Sequence, residues 1–87
     1  MCYLYIVECK DKSFYVGISR NLAQRLRDHN AGKACKYTEY RHPVKLVYSE
    51  KCANISSAMK REKQIKGWNR EKKMKLVRGK SLSNEKL

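Results

Sequence analysis

The stretch SFYVGISRNLAQRLRDHN, residues 13–30, decides the fold. Its first part, FYVGI at 14–18, is aromatic and β-branched and reads as a strand. Its second part reads as a helix ending near residue 30. Asn21 is a good N-cap, Leu22 and Leu26 share one face, and Gly32 supplies a stop. Upstream, YLYIVEC at 3–9 is apolar on both alternating faces, with Leu4 and Ile6 on one and Tyr3, Tyr5 and Val7 on the other. Such a strand is covered on both sides, which predicts a central place in its sheet. KDKS at 10–13 is a turn signal, so the first two strands form an antiparallel hairpin.

Downstream, residues 33–43 (KACKYTEYRHP) read as an irregular basic and aromatic loop closed by the single proline. VKLVYSE at 44–50 predicts a third strand. Asn54, Ser56 or Ser57 can cap the next helix, which ends near Gly67. A shorter helix follows from about Asn69 to Val77, with Met74 and Val77 turned inward. The order strand, strand, helix, strand, helix, helix implies a small α+β sandwich. One domain over residues 1–78 and a flexible basic tail at 79–87 are expected.

Composition narrows the function. The chain of 87 residues carries 21 Lys and Arg against 8 Asp and Glu, a formal net charge of +13. An excess of that size predicts a polyanionic partner, nucleic acid before anionic membrane. Ten of the basic residues lie between 60 and 80, against Glu62 and Glu71, which favours one binding face. No run approaches the roughly 18 apolar residues of a membrane helix, and no secretory signal is visible, so a cytoplasmic chain is expected, with a monomer assumed and the oligomeric state left open. Cys2, Cys9, Cys35 and Cys52 form no CxxC pair, and reduced, mostly buried thiols are the simpler reading than a disulfide framework or zinc.

Several residues could carry chemistry. Glu62 falls inside the stripe Ile55, Ala58, Met59, Ile65 on the second helix. A carboxylate on a core-facing stripe costs several kcal/mol unless paired or metal-bound, on the order expected for desolvation. Its ordinary explanation is an ion pair with Lys66, four residues on; a single Mg²⁺ is the alternative, since that ion takes hard oxygen ligands and keeps most of its waters. Arg25 and His29 share a helix face. Surface decoration would explain either alone; together they could hold a phosphate and handle a proton. Tyr3, Tyr5 and Tyr15 are ordinary strand residues unless cations or a metal ease ionisation of a phenol. Gly17 marks a close approach or a bend. Trp68 reads as a packing anchor, whereas Tyr37 and Tyr40 sit where bases could stack. Lys33, Lys36, Arg41 and His42 in the loop, with Lys66 and Arg70 beyond it, suit phosphates.

These pieces resemble the GIY-YIG nuclease superfamily, and its small stand-alone members most closely. The motifs are YLYI at 3–6, YVGIS at 15–19, RLRDHN at 25–30 and AMKREKQIKGW at 58–68, four in order over residues 2 to about 78. The resemblance also extends to the N-terminal domain of excision-repair nucleases. It implies a three-stranded antiparallel sheet flanked by helices, and phosphodiester cleavage with one Mg²⁺ or Mn²⁺. Residue by residue, Tyr5 and Tyr15 match the signature tyrosines, Arg25 the helix arginine, His29 the histidine four residues later, and Glu62 the metal-binding glutamate. Two positions depart from the pattern: Tyr3-Leu4-Tyr5 replaces Gly-Ile-Tyr, and Ile18 stands where repair-type members sometimes carry lysine. The implied activity is a metal-dependent endonuclease on DNA, of low sequence specificity and suited to branched or damaged forms in repair or recombination. A basic nucleic-acid-binding module without turnover would show the same charge. A membrane-surface or ribosome-associated role fits the strand alternation less well.

Overall fold

A computed structural model describes residues 2–86, with side chains described for residues 2–79. Three strands, β1 (Cys2–Glu8), β2 (Phe14–Ser19) and β3 (Lys45–Cys52), form one antiparallel sheet in the order β2-β1-β3. The doubly apolar first strand is therefore central, as its pattern requires. In the hairpin, Tyr5 lies opposite Gly17 and Val7 opposite Tyr15. Asp11 closes the turn by accepting from the backbone N–H of Ser13 at 3.0 Å and from its hydroxyl at 2.5 Å. Lys12 takes the left-handed conformation there, with φ of 72°. On the other side β1 pairs with β3, with a register shift between Ile6 and Val7.

Four helices cover the sheet: α1 (Leu22–Asn30), α2 (Lys36–Glu39), α3 (Ile55–Lys66) and α4 (Arg70–Lys86). Side-chain caps start three of them. Asn21 accepts from Gln24 N–H, Asn54 from Ser57 N–H and Asn69 from Lys72 N–H, at 3.1, 2.9 and 2.9 Å. Gly32 ends α1 with φ of 74°, a conformation that glycine adopts without a Cβ penalty.

The alternation of β1 feeds two cores. Cys2, Leu4 and Ile6 pack with Val16, Cys52, Ala58 and Ile65, with Trp68, Leu76 and Val77 against them. This is the α3/α4 face. Tyr5, Val7 and Cys9 pack with Val44, Tyr15, Leu22 and Leu26 on the α1 face. Leu4 and Ile6 are wholly buried, and each such side chain contributes about 1.5–3 kcal/mol of hydrophobic stabilisation.

Three local expectations change. The loop at 33–43 contains the one-turn helix α2 and is tied to the body. Arg41 pairs with Asp11 at 3.0 Å, Lys10 N–H donates to the Arg41 carbonyl at 2.8 Å, and Asn30 Oδ1 accepts from Val44 N–H at 2.6 Å. The final helix continues beyond Val77 to Lys86, because Gly79 weakens a helix by only about 1 kcal/mol and no proline follows. The side chains of the tail expected at 79–87 lie, from Lys80 onward, outside the described residues. On α3 the inward stripe is Ala58, Glu62, Ile65; Ile55 and Met59 are 45% and 56% exposed. At 100° per residue a helix stripe read from sequence is wide enough to include its own shoulder, and these two stand on that shoulder.

Candidate active site

The site forms where the centre of the sheet's middle strand, its β2 neighbour and two helices meet. Tyr5 projects from β1 across Gly17 of β2. A Cβ on Gly17 would lie 2.6 Å from Tyr5 Oη, 2.7 Å from Tyr5 Cζ and 3.1 Å from Tyr15 Cε2. The glycine is therefore space for the Tyr5 phenol, and its φ needs no special allowance. This gives the close approach expected at Gly17 its identity.

Past Gly17, the Tyr5 hydroxyl lies 2.8 Å from His29 Nε2. His29 Nδ1 lies 2.7 Å from Thr38 Oγ1, and Thr38 Oγ1 lies 3.4 Å from Cys35 Sγ. The Tyr15 hydroxyl acts on the same sulfur. The rings of Tyr5 and Tyr15 both stand edge-on to His29, with centroids 5.7 and 5.4 Å away. A phenol, an imidazole, a hydroxyl and a thiol thus form one polar chain, with the second phenol edge-on to its imidazole. His29 is 1% exposed and Thr38 fully buried. No buried side-chain polar atom among the described residues lacks a hydrogen-bond partner. His29 consequently stands behind Tyr5, buried rather than on the solvated edge where its helix face alone would place it.

Burial and neighbours tune these groups. Desolvation pushes the Tyr15 phenol up to about 12, helped by Cys35 and Glu62 and opposed by Arg25. Tyr5 is pushed up further, by burial first and by Tyr15 next, again with Arg25 in opposition. Burial is the main cause that lowers His29, the Arg25 charge adds to it and Asp28 opposes it, so the neutral imidazole is favoured. For Cys35, burial resists ionisation, but the Thr38 and Tyr15 hydroxyls and nearby backbone N–H groups outweigh it and hold the thiol below its usual value.

Arg25 lines one crevice with Tyr5 and His29, together with Leu22, Leu26 and Leu46. It makes no ion pair among the described residues. Glu62, on α3, acts on both phenols from the other side. Its side chain is 23% exposed and lies 3.3 Å from Lys66 Nζ, so the ordinary i,i+4 pair is present. No group of three or more His, Cys, Asp or Glu side chains placed to hold a metal ion occurs among the described residues. A metal here would have one protein carboxylate and water.

The residues expected to meet nucleic acid divide into two sets. Lys33, just before α2, and Lys36, its first residue, are exposed. Lys66 also stands 5.5 Å from the Tyr15 ring. Arg41, expected in the loop to meet phosphate, pairs with Asp11, donates to the Tyr37 carbonyl and lies over the Tyr37 ring. Arg70 donates to the Lys12 carbonyl and stacks on Phe14 at 4.7 Å. With Ser13, Phe14, Tyr37 and Lys73 it lines an open groove of about 210 Å³. Tyr37 stacks on Tyr15, whereas Tyr40 is 87% exposed. Trp68 packs with the α3/α4 core and carries Lys72 4.6 Å from its ring. Thr38 and Cys35 were not singled out by the sequence. The available signal was a cap-like Cys-x-x-Thr spacing opening a one-turn helix.

Comparison with known proteins places the chain in a family and supports the fold. A family model described as the GIY-YIG catalytic domain matches residues 1–75. A UPF0213 protein of Staphylococcus haemolyticus is 49% identical over 75 residues, covering 86% of this chain and 92% of that protein. A UPF0213 protein of Haloquadratum walsbyi is also 49% identical over 75 residues, covering 86% and 84%. The solution NMR structure of a UPF0213 protein from Bacillus halodurans superposes with a TM-score of 0.57 at 40% identity, covering 88% of this chain and 83% of that one.

Proposed function

The chain belongs to the GIY-YIG nuclease family, and from that premise we propose that it is a divalent-cation-dependent endonuclease acting on DNA. One observation carries the reading: an arginine with no ion pair among the described residues and a carboxylate act on the same two phenols, and the buried one, Tyr5, is hydrogen-bonded to a neutral imidazole. Nucleic-acid binding alone requires none of these, and a carboxylate beside phosphate weakens binding unless a cation intervenes.

The chemistry follows from the proton inventory. A neutral Tyr5 with a raised pKa cannot take a proton from water unless it gives up its own. His29 Nε2, 2.8 Å from the Tyr5 oxygen, is where that proton goes. Water attacks phosphorus as its proton passes to Tyr5, the Tyr5 proton passes to His29, and the bond to the leaving oxygen breaks, that oxygen taking a proton from solvent. Arg25 offsets the charge that develops on the phosphate oxygens. Glu62 is the residue to hold Mg²⁺ or Mn²⁺: one carboxylate at a solvent-reaching position suits an ion that keeps most of its waters. When bound, that ion supplies charge neutralisation at the phosphate. Lys33, Lys36, Lys66 and the Arg70 groove would meet the flanking backbone. Phosphate contacts position without specifying, so low sequence specificity follows.

The Glu62–Lys66 pair favours a second reading, since it accounts for Glu62 without a metal. In that reading the chain binds nucleic acid without cutting it. Incubation with single-stranded, duplex, flap and junction DNAs and matching RNAs, with and without Mg²⁺ or Mn²⁺, separates the two. The nuclease reading expects cation-dependent cleavage of DNA that Glu62→Gln and Tyr5→Phe each abolish. Binding without cleavage of any substrate would leave the binding module. Equal cleavage by wild type and Glu62→Gln would remove the metal assignment.

A further inference from the structure

We infer that Thr38, seated between His29 and Cys35, sets the tautomer of His29 and with it the direction of proton flow from Tyr5. This rests on the reading of Tyr5 as the group that relays the proton of the attacking water. The geometry is a matter of counting protons. A neutral imidazole has one N–H, and a hydroxyl has one proton to donate. Thr38 Oγ1 lies 2.7 Å from His29 Nδ1 and 3.4 Å from Cys35 Sγ, so its proton can serve only one of them.

The sulfur is the better destination. The Tyr15 hydroxyl and nearby backbone N–H groups already converge on Cys35, so the local field favours an acceptor there, and a weak thiol donor would oppose it. With the Thr38 proton on the Cys35 side, Thr38 Oγ1 accepts from His29 Nδ1–H. Nε2 is then a lone pair, facing the Tyr5 hydroxyl at 2.8 Å. The chain runs Tyr5 O–H to Nε2, Nδ1–H to Thr38, Thr38 O–H to Cys35. When the Tyr5 proton transfers, His29 becomes an imidazolium whose two N–H groups both have acceptors. In the reverse orientation Nε2–H would point at Tyr5, and Tyr5 could not unload. Thr38 is accordingly a positioning residue, acting through His29 and touching no substrate, and Cys35 holds Thr38 in place.

The direct readout is the ring ¹⁵N spectrum of His29 in the intact chain, which distinguishes a protonated from a lone-pair nitrogen. Wild type should show Nδ1 protonated and Nε2 bare. Thr38→Val, which keeps the shape and removes the hydroxyl, should populate the Nε2–H form. Cys35→Ala, which frees the Thr38 proton to turn toward Nδ1, should do the same. Thr38→Ser should restore the wild-type pattern. On a cleaved DNA substrate, Thr38→Val should lower kcat by roughly 10²-fold, on the scale of general acid–base catalysis. KM should stay within about twofold, since no substrate contact is lost. An Nε2–H tautomer in wild type would overturn the inference, as would an unchanged tautomer in both Thr38→Val and Cys35→Ala. Absence of cleavage by wild type would instead overturn the nuclease reading, leaving the ¹⁵N result to stand on its own.

Discussion

Replacing Gly17 by alanine adds one carbon and two hydrogens, yet it should disable the site. The new Cβ would sit 2.6 Å from Tyr5 Oη and 2.7 Å from Tyr5 Cζ. Ordinary contact requires the phenol to retreat by roughly 1 Å. Tyr5 is 3% exposed and held by the α1-face core, so it has nowhere to go without straining its neighbours. Overpacking of this kind costs about 1–3 kcal/mol. Pulling the hydroxyl from His29 removes a buried hydrogen bond, worth about 1 kcal/mol. Against this, alanine in a strand is favoured over glycine by about 0.5–1 kcal/mol. The net is a loss of about 2 kcal/mol, which leaves the domain folded, because a chain of this length is stable by on the order of 5–10 kcal/mol. Cleavage should fall about 10²-fold, since a 1 Å displacement of a reacting group costs that much. Urea titration gives the stability term. A double-mutant cycle with Tyr5→Leu isolates the cause. In the Tyr5→Leu background the same alanine should be neutral or slightly stabilising, a coupling of about 3 kcal/mol. If Gly17→Ala costs the same in both backgrounds, the close approach to Tyr5 is not why position 17 is glycine.

Other consequences can be measured separately. His29 has its folded-state pKa lowered by burial and Arg25, below an unfolded value of about 6.5. Between the two values only the unfolded chain takes up the proton, so this contribution is complete above pH 6.5 and lost as pH falls through the folded pKa; the urea midpoint should decline from pH 7.5 to 5.5, and a flat midpoint would contradict it. Lys66→Met frees Glu62 from a pair worth about 0.3–0.5 kcal/mol, so half-saturating Mg²⁺ in the cleavage assay should fall about twofold, while the salt dependence of DNA binding becomes shallower by about one phosphate contact; an unchanged Mg²⁺ requirement would separate the metal from Glu62. Arg61 pairs with Glu50 at 3.0 Å away from the site, so Arg61→Met should cost about 1–2 kcal/mol in urea with cleavage per folded molecule unchanged; a proportionate loss of cleavage would bring Arg61 into the site.

The fold was largely legible because its signals are local. The double-faced apolar strand, the Asp/Ser turn, the Asn caps and Gly32 each act within a few residues, and each appears where its local chemistry puts it. The matched residues Tyr5, Tyr15, Arg25, His29 and Glu62 could also be found, since they lie inside motifs. What those residues do to one another was less accessible. That His29 sits behind Tyr5 depends on α1 packing over the α1-face core, a contact 24 residues apart in the chain. Thr38 and Cys35 gained their importance only when residues 33–43 folded into α2 against that helix. Arg41, equally basic on paper, is consumed by Asp11 and Tyr37. Ile55 and Met59 show the opposite error: hydrophobic spacing named a face, and packing used only part of it.

Tyr5 occupies a strand bonded to neighbours along both of its edges. Its backbone cannot open by local fraying, as a loop or terminus can, because release requires both ladders to part. Amide hydrogen exchange around Tyr5 should therefore be governed by global unfolding, while Lys33 to Lys36 exchange through small openings. Heat or denaturant should extinguish the reaction in step with the whole domain, with no cooler stage at which the molecule is intact but inert.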